Sequence, residues 1–98
     1  MDRETALREL SEGTPNLQQR AARALGQWSD DQVLAALVDA FQSPHSGISE
    51  AAGGTLLEIG GARTVLLLLP LLRSPQPAIR DSARLLLQQL AKAPNKVT

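Results

Sequence analysis

The chain has 98 residues, with ten acidic and ten basic side chains and a formal net charge of zero. That balance argues against nucleic-acid binding, which needs a clustered excess of Lys and Arg for phosphate contacts. No cysteine is present, so neither a disulfide framework nor a thiolate metal site is available.

The first predicted helix covers about residues 2–11, with Leu7 and Leu10 on one stripe. Its start, Met1 to Ala6, alternates charges and has no apolar stretch, so no signal peptide is predicted and the cytoplasm is the expected location. Ser11 to Pro15 forms a turn in which Gly13 is expected to take a left-handed cap and Pro15 to open a helix. The second helix, about 15–28, carries the stripe Leu17, Ala21, Leu25 and Trp28. Ser29-Asp30-Asp31 supplies a cap and first-turn acids for a third helix at about 31–42, with Leu34, Leu37, Val38 and Phe41 inward.

Ser43 to Gly47 turns the chain into a fourth helix, about 47–59, with the stripe Ile48, Ala52, Leu56 and Ile59. Gly60-Gly61 breaks it before a fifth helix at about 62–73, where Val65, Leu68, Leu69 and Leu72 share a face. Its apolar run is interrupted by Pro70 and falls far short of the roughly 20 residues that span a bilayer, so no membrane association is expected. Ser74 to Pro77 repeats the earlier turn, and the sixth helix, about 77–92, carries Ile79, Ala83, Leu87 and Leu90. Residues 94–98 read as a flexible tail.

These elements recur every 31 residues. Leu17/Ile48/Ile79, Ala21/Ala52/Ala83, Leu25/Leu56/Leu87 and Trp28/Ile59/Leu90 form columns, as do Leu7/Val38/Leu69 and Leu10/Phe41/Leu72. Pro44 and Pro75 mark the same turn in two copies. A fixed period of this length signals stacked supersecondary units. Connections of a few residues force successive helices antiparallel. The predicted fold is therefore all-α: a short right-handed α-solenoid of three stacked helix pairs. One domain over residues 1–93 divides into units at about 1–28, 29–60 and 61–93.

The second helices, which run Leu17-Gln-Gln-Arg-Ala-Ala-Arg-Ala-Leu25-Gly26-Gln-Trp28 in the first unit and open Ile48-Ser-Glu-Ala-Ala and Ile79-Arg-Asp-Ser-Ala in the others, resemble HEAT-type repeats. The resemblance is closest to the short variety named after phycobilisome lyases, and Leu-Leu-Pro70-Leu-Leu is similar to the proline-kinked first helix of HEAT units. It covers about residues 3–92. It implies a protein-binding scaffold whose second helices line a concave face. The match departs at the Arg expected after the aliphatic start: only Arg80 fits, with Gln18 and Ser49 in the other copies, so the Asp–Arg ladder between units is incomplete.

Catalytic and metal chemistry find no support. His45 is the only histidine, in a turn with no Asp, Glu or Cys within four residues. No serine sits in a Gly-x-Ser-x-Gly elbow, and no Gly-Lys-Ser/Thr follows Gly53-Gly54. No cofactor is expected. The outward columns Gln19/Glu50/Asp81, Arg23/Gly54/Leu85 and Gln27/Glu58/Gln89 mix signs, with Glu50 and Glu58 making a mildly acidic middle. Gly54 is the place where a partner backbone could approach.

The third unit is anomalous. Its first helix is apolar around the full circumference, and such a helix must be buried all round. The expected function is a non-enzymatic protein–protein interaction module that self-associates as a homodimer through the 62–73 helix. Leu66, Leu67 and Leu71 are the expected apolar anchors, with Glu50, Glu58, Arg84 and Gln88 as a polar rim beside Gly54. The alternative that the resemblance implies is an accessory subunit of a phycobilin lyase or related tetrapyrrole-handling complex.

Overall fold

The computed structural model describes residues 1–92; the expected tail at 94–98 lies outside them. It contains six α-helices: α1 (Arg3–Glu12), α2 (Pro15–Ala24), α3 (Asp31–Phe41), α4 (Ser46–Ile59), α5 (Gly61–Leu68) and α6 (Pro77–Lys92). Short 3₁₀ segments at Leu25–Gln27 and Leu69–Arg73 extend α2 and α5. No strand occurs among the described residues. The helices pair as α1/α2, α3/α4 and α5/α6, and the pairs stack as a solenoid.

Side-chain caps start the first four helices. Asp2 accepts from the Thr5 N–H at 2.7 Å, Thr14 from Leu17 at 3.4 Å, and Asp30 from Val33 at 3.4 Å. Each satisfies a donor that the first helical turn leaves without a partner. His45 has a structural use: its Nδ1 caps α4 by accepting from the Ile48 N–H at 3.4 Å. Ser43 and Ser74 make the same turn in two units, accepting from the backbone N–H two residues on, at 3.1 Å and 3.2 Å.

The left-handed cap falls at a different glycine from the one expected. Gly13 has φ −78°, an ordinary extended value, whereas Gly60 and Gly61 have φ 61° and 87°. Gly13 is glycine for another reason: a Cβ there would lie 2.7 Å from the Glu9 carbonyl oxygen. The fifth helix also differs from a continuous 62–73 helix. Pro70 has no N–H to give the Leu66 carbonyl, so α5 ends at Leu68 and tightens into 3₁₀ geometry.

The 31-residue step is visible in burial. Ala21, Ala52 and Ala83 are all fully buried, and so are Ala6, Leu37 and Leu68. One departure from the repeat also proves conservative. Gln18 donates to the Leu10 carbonyl (2.8 Å), Ser49 to the Phe41 carbonyl (2.8 Å) and Arg80 to the Ser74 carbonyl (2.7 Å). Gln18 and Ser49 thus satisfy equivalent carbonyls in the last turn of their first helices, and Arg80 reaches one in the turn that follows.

Adjacent units are tied near the starts of their first helices. Arg3 reaches Asp30 at 2.6 Å and Gln32 at 2.9 Å, and Arg63 reaches Asp31 at 2.9 Å. Between α2 and α4 the approach is close: a Cβ on Gly26 would lie 3.3 Å from Thr55 Cγ2. The third unit stands further off, and α6 leaves a groove beside α4 floored by Phe41 and Leu86.

Candidate protein-binding surfaces

The residues expected to bind a partner divide between two surfaces. Glu50, Gly54 and Glu58 come together on α4, one and two turns apart, and line a groove of about 550 Å³ with Gln19 and Arg23 of α2. Gly54 is its open floor, because a Cβ there would meet nothing within 4 Å. Its neighbour Gly53 is different: a Cβ there would lie 3.0 Å from the Phe41 ring. Close helix approach therefore explains Gly53 and leaves Gly54 without a packing reason. Arg84 and Gln88 are exposed on α6 and do not line this groove. Arg84 instead pairs with Asp81 at 3.3 Å.

The second surface is the end of the stack formed by α5 and α6. Of the three expected anchors only Leu66 points fully outward; Leu67 and Leu71 are half-buried against the core. The exposed apolar side chains here are Leu66 (65%), Leu69 (44%) and Leu72 (38%). The last two occupy the columns of Val38 and Phe41, which are 9% and 8% exposed in the middle unit. Among the described residues, no further helix pair lies beyond the third unit. Between the helices lies an apolar cleft of about 570 Å³, lined by Ala62, Val65, Leu69, Leu87, Leu90 and Ala91.

Leu69 and Leu72 escape a reading by residue type because their columns are apolar in all three units. What marks them is their place in the third copy, where a column buried in the middle unit is exposed among the described residues. The opposite end is finished differently. Asp2 and Arg20 are exposed there, in columns that hold Val33 and Ala51 in the second unit and Thr64 and Ser82 in the third. A polar outer face of this kind is how a terminal repeat is capped.

Neither surface brings a nucleophile, base and orienting group together among the described residues. The one strongly displaced acid, Asp30, is held at about 2 by the Arg3 guanidinium and belongs to the contact between units. No helix among the described residues is long and apolar enough to cross a membrane.

Stacked antiparallel helix pairs with a common buried register define an α-helical repeat protein. Residues 4–88 match the family model for HEAT repeats, so the chain belongs to the HEAT-repeat family. That match is to HEAT repeats in general and does not single out the phycobilisome-lyase variety. No curated protein matches the chain. HEAT repeats are generally protein-interaction scaffolds without catalytic activity of their own.

Proposed function

We propose that this chain is a non-catalytic protein-binding module whose principal docking surface is the bare apolar end made by α5 and α6. The observation that supports it is the exposure of Leu69 and Leu72 in columns that the middle unit buries. Leaving a leucine half in water forgoes on the order of 1 kcal/mol of burial. Several such residues are a large sacrifice for a domain whose whole stability is about 5–10 kcal/mol. Contiguous exposed apolar surface of this kind is characteristic of an interaction site. The α2–α4 groove, with Glu50 and Glu58 beside Gly54, gives the module a second, polar face.

Site-specific photo-crosslinking in the cell that makes the protein tests this reading. A crosslinker replacing Leu66 should form protein adducts that Leu69→Glu abolishes. One replacing Arg20, on the capped end, should form none. Adducts only at Arg20, or at no position on either surface, would overturn it.

A further inference from the structure

We propose that the occupant of the apolar end is a second copy of this chain, joined tail to tail about a two-fold axis. The inference rests on the reading of that end as a docking surface and names what docks there.

The argument begins with what the repeat already does with these columns. Leu34, Val38, Phe41 and Leu56 in the middle unit are all under 10% exposed. Their counterparts Val65, Leu69, Leu72 and Leu87 form the open end. The same surface that makes an internal interface is therefore presented outward, complete in its residue types.

A head-to-tail contact would set this face against the outer face of the first unit. There Asp2, bonded only to the Thr5 N–H among the described contacts, and Arg20 would be driven into leucines with no opposite charge supplied, a costly burial of charge. A second copy that presents its own apolar end avoids that cost, and the contact is then isologous. Such a contact requires a face complementary to itself. This one carries a knob and a hole side by side. Leu66, the most exposed apolar side chain of the end, stands one turn from Ala62 and Leu69, which line the cleft. Under a two-fold, each Leu66 can seat in the cleft of the other copy.

The size fits a modest dimer. Two adjacent helices, each about 20–24 Å long and about 10 Å across, offer roughly 500 Å² per copy. The total of roughly 1,000 Å² sits at the lower bound for a specific interface. Interfaces of this size are the weak, transient kind, so the test is run across the micromolar range.

Sedimentation equilibrium of the whole chain from about 1 to 100 µM should show a monomer–dimer equilibrium and nothing larger. Leu66→Glu and Leu69→Glu should each weaken dimerisation at least tenfold while the far-ultraviolet circular dichroism stays unchanged. Leu85→Glu, on the groove side, should dimerise like the parent. The absence of native cysteines allows single spin labels. In the dimer, a label on Lys92→Cys, beside the cleft, should give a shorter inter-copy distance than one on Arg20→Cys. A chain that stays monomeric to 100 µM, species larger than a dimer, or the reverse order of distances would each overturn the two-copy interface. A monomer whose position 66 still crosslinks to a different protein would overturn only the identity of the occupant, leaving the docking surface in place.

Discussion

At the N-terminal end of the stack, Asp2 and Arg20 occupy columns that carry Val33 and Ala51 one unit later. At the C-terminal end, Leu69 and Leu72 keep the apolar character of Val38 and Phe41, although nothing among the described residues covers them. One end has exchanged burial for hydration and the other has not. The difference shows that a column's residue type reports what the repeat needs on average, while its position in the stack decides whether the side chain is core or surface. The proposed docking surface rests on that difference, and the polar end is the internal control for it.

The sharpest way to break this comparison is to truncate leucines that differ only in cover. Leu37 is fully buried in the middle unit, and Leu37→Ala should cost about 3 kcal/mol, lowering the melting temperature by roughly 15 °C. Leu69→Ala, measured below the dimerisation range, should cost less than about 1 kcal/mol, because its side chain is already 44% exposed. Urea unfolding of both variants at low concentration checks the contrast. Equal losses would mean that Leu69 is covered in solution by the chain itself.

Most of the architecture could be read before any coordinates, since six helices, their capping residues and the 31-residue register depend on local spacing. Asp30 caps α3 and Pro15 opens α2 as their residue types dictate. What could not be read was set by relations between units. Gly13 looked like the left-handed residue, yet the positive φ falls at Gly60 and Gly61, where the chain must reverse directly into α5 with no intervening loop. Leu67 and Leu71 are expected as anchors because the 62–73 segment is apolar all round, but Leu67 on α5 and Leu71 in the 3₁₀ segment are half-buried against the core. The column of Gln18, Ser49 and Arg80 looked degenerate, yet each side chain donates to a carbonyl at or just after the end of its own first helix.

That shared role gives the next effect in size. Ser49→Ala removes the only side-chain donor observed on the Phe41 carbonyl, and should cost about 1 kcal/mol. Ser49→Gln should restore much of it, because Gln18 performs the same task in the first unit. Thermal melts of the pair would show whether the column is defined by residue type or by reach. A smaller effect, of opposite sign, is expected in the groove. Gly54→Ala should stabilise by about 0.5–1 kcal/mol, since helix propensity improves and the new methyl meets nothing within 4 Å. Gly53→Ala should gain less or lose, because its methyl would press on the Phe41 ring at 3.0 Å. If Gly54→Ala stabilises the fold yet removes groove crosslinks at Glu50, the glycine is retained for a partner's approach.

The smallest effect concerns the tie between the capped first unit and the second. Asp30 is held at about 2, first by the hydrogen bond from Arg3 and also by the Val33 N–H, with partial burial acting the other way. Its folded value lies below the ordinary carboxylate value of about 3.9. The stabilisation it brings is therefore present above about pH 4 and is lost as pH falls through about 2. Asp30→Asn should melt below the parent at pH 7, and the gap should close towards pH 2. Asp2, lowered by its bond to Thr5, titrates in both proteins and cancels in their difference. Because Arg3 and Asp30 remain accessible to water, added salt should shrink the gap as well. A gap that persists unchanged at pH 2 and in high salt would assign the effect to cap geometry, leaving apolar packing as the bond between the first two units.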